Sequence, residues 1–99
     1  MASEREIGIS DVTLQEIGQL LHNDKISIPG HPGRWLEEML LHITLVPISA
    51  DAAILAPALR LPHADPFDRI IVATAKTLGI PLITRDANIV DSRLVRIVW

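Results

Sequence analysis

The sequence predicts an α/β fold with a mainly parallel sheet covered by helices. Short apolar, β-branched runs alternate along the chain with segments whose apolar residues recur at helical spacing, the pattern of strand–helix–strand units. One such unit, HADPFDRIIVATAKTLGIPLITRD at residues 63–86, carries its own start and stop signals. Hydrophobic residues fill 48% of the 99 positions, too many for a disordered chain. The length fits a single small domain over 1–99 that buries roughly two-thirds of its unfolded surface.

Taken in order, residues 1–4 read as a frayed start and residues 6–10 as a short strand, which Gly8 weakens. Thr13 opens a helix with Glu16 three positions later and Ile17, Leu20 and Leu21 following, so Thr-x-x-Glu reads as a capping box. Residues 22–28 are a turn region with a brief extended piece at 26–28, and PGHPG at 29–33 is a loop on glycine and proline grounds. Residues 35–42 form a short helix with Trp35, Met39 and Leu40 facing inward. Residues 43–47 are a strand, and Ser49 is the N-cap of a helix over 50–59.

In the 63–86 unit, Asp65 is the N-cap and Pro66 the first helical residue, where its missing N–H costs nothing. Phe67, Ile70, Ile71, Ala75 and Leu78 share one face, and Gly79 supplies the left-handed stop. Residues 80–84 then form a strand with Pro81 near its beginning, and residues 95–98 a last strand before Trp99. About ten residues of helix and four or five of strand each cover about 15 Å. Asp68, in the first helical turn, and Asp86, just past the strand, therefore belong at the carboxyl edge of the sheet, where open α/β sheets place their sites. Glu16, at a junction of strand end and helix start, belongs to the same edge.

Several function classes drop out. The chain carries net charge −3 with its nine basic residues dispersed, so it has no phosphate-tracking stripe of its own, and bound phosphate calls for a cation between it and the carboxylates. Cysteine is absent, which excludes disulfides and thiolate ligands. Glu4, Arg5 and Glu6 occupy the start without an apolar run, and no stretch reaches membrane-spanning length; the reading is a soluble, cytoplasmic protein.

HADPFDR (63–69), the eighteen-residue step from Asp68 to Asp86, LITRDA (82–87), ISDVTLQEI (9–17) and the terminal Ile97, Val98 and Trp99 together resemble a PIN domain. More narrowly they resemble the VapC-type toxin ribonucleases of bacterial toxin–antitoxin pairs. The resemblance runs from Ile9 to Trp99 and implies a three-layer PIN-like fold. It implies a metal-dependent ribonuclease in which acidic residues at the carboxyl edge hold Mg²⁺ or Mn²⁺ and hydrolyse RNA phosphodiester bonds. By motif match Glu16, Asp68 and Asp86 are the metal ligands, Thr84 sits beside the metal, Arg69 contacts backbone phosphate, and Asp65 or Asn88 assists at the rim. The implied partners are RNA and a small antitoxin protein.

Each of these residues also has a structural explanation. Glu16 completes the capping box, Asp68 favours the helix dipole, Asp86 makes an Asx-turn, Thr84 ends a strand, and Arg69 is solvated surface. His22, His31, His42 and His63 lack ligand spacing, and Trp35 and Trp99 read as packing residues. PIN domains open with a strand that bears an early aspartate and a helix after it, and only eight residues precede Ile9 here. The chain therefore reads as an N-terminally truncated PIN-like domain that forms a homodimer to cover the exposed strand edges. The alternative function is a noncatalytic PIN-like protein that oligomerises or binds an antitoxin.

Overall fold

The computed structural model describes residues 7–98; the expected frayed start, Glu6 of the first strand and Trp99 lie outside the described residues. The chain divides into two compact units, within Met1–Pro47 and Ile48–Trp99.

In the first unit, strand β1 (Gly8–Ser10) pairs in parallel with β2 (Thr44–Val46), Gly8 opposite Thr44 and Ser10 opposite Val46. Gly8 suits a crowded position: a Cβ there would lie 3.0 Å from Val46 Cγ2 and 3.3 Å from the Thr44 carbonyl, so the neighbouring strand would have to give way. Helix α1 (Asp11–His22) starts directly at the end of β1, and its N-cap is Ser10, whose Oγ accepts the Val12 N–H at 3.3 Å. Thr13 is thus already inside the helix. The Thr13–Glu16 capping box is corrected, because parallel pairing fixes where β1 ends and the next backbone N–H groups meet Ser10 first.

Helix α2 (Pro32–Leu40) begins three residues before the expected start. Pro32 takes the first helical position, and the Nδ1 atom of His31 accepts the N–H groups of Gly33 at 3.1 Å and Arg34 at 3.4 Å. The proline read as a loop marker is a helix starter, and His31 supplies the acceptor more often given by Ser or Asp.

The second unit holds the hydrophobic core. Helix α3 (Ala50–Leu55), capped by Ser49 Oγ on the Ala52 N–H, runs into a 3₁₀ turn (Ala56–Ala58) where Pro57 interrupts the α pattern. Helix α4 (Pro66–Leu78) keeps all its sequence signals: Asp65 caps it, Pro66 opens it, and Gly79 ends it at φ +67°. Ala52, Ala56, Leu59 and Leu61 pack with Val72 and Ala73 of α4 and Ile89, and Leu82, Leu94, Val95 and Ile97 lean on this cluster.

The expected strand 80–84 is reduced to one parallel bridge, Leu82 opposite Ile97. Leu82 N–H donates to Arg96 O at 2.8 Å and its carbonyl accepts from Val98 N–H at 3.0 Å. Pro81 has no N–H to extend the pairing on one side. Beyond it, Asp86 starts a short helix, α5 (Ala87–Ser92), that the sequence reading leaves out; Arg93 ends it at φ +57°. The fold class is as expected, α/β with parallel strand pairing and several helices.

Candidate functional site

Three aspartates of the second unit stand at two helix starts, those of α4 and α5. Asp65 precedes the helix and its Oδ1 accepts the Asp68 N–H at 2.8 Å. Asp68 occupies the third helical position. Asp86 precedes α5, and its Oδ1 accepts the Ile89 N–H at 3.0 Å. The Asp68 carboxyl is held above the usual carboxylate range, first by partial burial and then by the charges of Asp65 and Asp86. The two helix starts thus bring the charges of Asp65 and Asp86 within electrostatic reach of Asp68.

The remaining predicted residues take definite places. Thr84 Oγ1 accepts the Asp86 N–H at 3.1 Å, so this hydroxyl fixes the backbone on which Asp86 sits. Arg69, expected on phosphate, donates from Nη1 to the carbonyls of Ala56 at 3.3 Å and Leu59 at 3.0 Å, and from Nη2 to Leu61 at 2.8 Å. It ties α4 to the 3₁₀ turn and the bend after it. Asn88 Nδ2 donates to the Pro62 carbonyl at 2.6 Å. Glu16 lies half-buried on α1 of the first unit.

Sequence reasoning placed Asn88 only loosely at a rim and gave Arg69 no structural bonds. The signal that could have found them is RLP at 60–62, a bend whose carbonyls have no strand or helix to receive them.

Carboxylates are hard oxygen donors, and Mg²⁺ is commonly held by one or two of them while it keeps several waters and binds substrate phosphate. Asp68 and Asp86 fit that description, since the charge of Asp86 raises the cost of ionising Asp68 and a cation beside Asp68 relieves it. Among the described residues, no group of three or more His, Asp or Glu side chains is drawn together at ligand range. A groove lined by Lys76, Gly79, Pro81 and Arg96 lies at the other end of α4, and the aspartates do not line it. No helix among the described residues is long and apolar enough to cross a membrane.

An α/β chain with parallel pairing and acidic residues at helix starts is the architecture expected of the PIN domain, whose family model matches residues 1–93. The chain belongs to the PIN domain family. Ribonuclease VapC22 of Mycobacterium tuberculosis (strain ATCC 25618 / H37Rv) is 30% identical to it over 91 residues, covering 89% of this chain and 68% of the relative.

Proposed function

We propose that the protein is a metal-dependent ribonuclease of the toxin–antitoxin type, with Asp68 and Asp86 holding Mg²⁺ or Mn²⁺. The observation that carries this reading is that the charge of Asp86, the cap of α5, reaches Asp68 in the first turn of α4, in a chain of the PIN family. Its relative is named a ribonuclease, which supports RNA as substrate. Glu16 enters as the third ligand on the ISDVTLQEI motif alone.

When bound, such an ion supplies charge for the scissile phosphate and lowers the pKa of a water for attack. The chain's own part is to orient and to hold. Asp65 and Asp86 each use one oxygen to close a helix start, so their carboxylates cannot swing freely. Thr84 fixes the Asp86 backbone, and the partial burial of Asp68 lowers the local dielectric in which charges act.

We further place the protein in the cytoplasm as a homodimer held by a small antitoxin. Leu78, the last residue of α4, and Ile80, just past its cap, are both exposed and support an apolar contact with another chain.

The test is cleavage of a mixed RNA by the purified chain with Mn²⁺ or Mg²⁺. Activity should vanish with EDTA and in Asp86→Asn, and fall at least tenfold in Glu16→Gln, since even a residue that only supports a metal site commonly costs about tenfold or more when lost. The absence of a three-ligand group among the described residues favours a second reading, a noncatalytic PIN-like protein that binds an antitoxin. A folded protein without metal-dependent cleavage would establish that second reading.

A further inference from the structure

The two carboxylates sit on different helices, and the segment between the 3₁₀ turn and α4 touches both helix starts. Its consecutive carbonyls, Leu61 and Pro62, each accept a side-chain hydrogen bond, one from α4 and one from α5. Arg69, the neighbour of Asp68, donates to Leu61 O at 2.8 Å, and Asn88, two residues past Asp86, donates to Pro62 O at 2.6 Å. The residue that follows, His63, stands at φ +64°, a left-handed conformation that a non-glycine residue keeps only where its surroundings determine it. The segment then delivers Asp65, whose Oδ1 accepts the Asp68 N–H.

We propose that Arg69 and Asn88 are positioning residues, which set the separation of Asp68 and Asp86 by clamping adjacent carbonyls of one strained segment. The proposal rests on the ribonuclease reading for its purpose, and on the hydrogen bonds for its mechanics. Arginine is suited to the first grip because its planar fork reaches three carbonyls at once, those of Ala56, Leu59 and Leu61. Lysine carries the same charge on a single point and cannot span them. Asn88 is suited to the second because a short amide donor on the first turn of α5 moves rigidly with the Asp86 cap. Neither residue need touch substrate.

The test uses the full chain with two independent readouts. The first is amide hydrogen exchange of the metal-free protein at Asp68 and Ile89, whose N–H groups bind Asp65 and Asp86. Asn88→Ala should speed exchange at both sites by about threefold to tenfold, the range set by loss of one hydrogen bond, although Asn88 contacts neither amide. Arg69→Lys should do the same. The second readout is Mn²⁺ binding, followed through the spectrum of the free ion, with Asp86→Asn as the reference for loss of the site. Asn88→Ala should weaken binding about tenfold, as loss of a residue that supports a ligand commonly does, with the metal-free melting temperature nearly unchanged.

Unchanged exchange at Asp68 and Ile89 in both variants overturns the clamp, whatever the metal does. Faster exchange with wild-type Mn²⁺ affinity overturns the claim that the clamp sets the carboxylate separation. Faster exchange in a protein whose Mn²⁺ binding ignores Asp86→Asn leaves the clamp standing and defeats the ribonuclease reading instead.

Discussion

In the second unit Leu61 and Val72 are fully enclosed and share a cluster with Ala52, Ala56, Leu59, Ala73 and Ile89, whereas in the first unit Ser10 and Val12 are the buried positions among the described residues and α2 has none. The first unit is held by local devices: a short parallel ladder, a serine cap and a histidine cap. The second is held by a common core into which α3, α4 and α5 each send side chains. The difference bears on chemistry, because Asp68 and Asp86 are carried by helices of the better-packed unit. A site that must hold like charges close together needs a scaffold that does not yield to their repulsion.

Truncating a core residue should produce the largest contrast. Leu61→Ala is expected to cost about 3 kcal/mol in urea unfolding, whereas Leu41→Ala in the first unit should stay within about 0.5 kcal/mol. Leu61 is 1% exposed and Leu41 is 79% exposed, so equal effects would break the comparison.

Next comes the guanidinium. Arg69→Ala removes three hydrogen bonds and leaves the carbonyls of Ala56, Leu59 and Leu61 with only their backbone donors, the N–H groups of Leu59, Leu61 and Ala64, and should cost about 2 kcal/mol in the same measurement. A smaller loss, within that of an ordinary surface change, would mean that water replaces the fork.

The first unit has its own sensitive point. Gly8→Ala puts a methyl group 3.0 Å from Val46 Cγ2 and should destabilise by about 1 kcal/mol, read as a lower thermal midpoint. A neutral result would show that β1 and β2 separate easily.

The smallest effect is a matter of pH. Because the Asp68 carboxyl titrates higher in the folded chain than in the unfolded one, the folded state holds the extra proton between the two values. Stability contributed by this group is therefore full below the ordinary carboxylate range and is lost as pH rises through the raised value. Asp68→Asn should melt slightly higher than the parent at neutral pH without metal, and that advantage should shrink on acidification. If the reading of the site is right, added Mn²⁺ should stabilise the parent and not this variant.

Much of the second unit was legible because its signals are local. Ser49, Asp65, Pro66 and Gly79 act within one turn of where they stand, and each does what its chemistry predicts. The start of α1 was not, since Ser10 and Thr13 are both competent caps and pairing with Val46, far along the chain, decides between them. Helix α5 was missed because six residues are too few for helical periodicity to register. The strand at 80–84 was overread for the converse reason: apolar, β-branched composition does not itself provide a partner for each N–H.

For the site, helix and strand lengths led to the expectation of Asp68 and Asp86 on one edge, and in the structure the charge of Asp86 reaches Asp68. The work of Arg69 was invisible because its acceptors lie along a bend, and which way a bend turns its carbonyls appears only when the backbone is traced.

One oxygen atom at Asp65 and one at Asp86 seal the ends of helices, while the net charge of each group belongs to the whole carboxylate. Asparagine presents the same carbonyl oxygen to a backbone N–H and ranks with aspartate as an N-cap. Architecture and charge at these positions are therefore separable by exchanging a single oxygen for an amide nitrogen. A lineage that gave up metal chemistry could drift from aspartate to asparagine at both positions and keep the same helices in place.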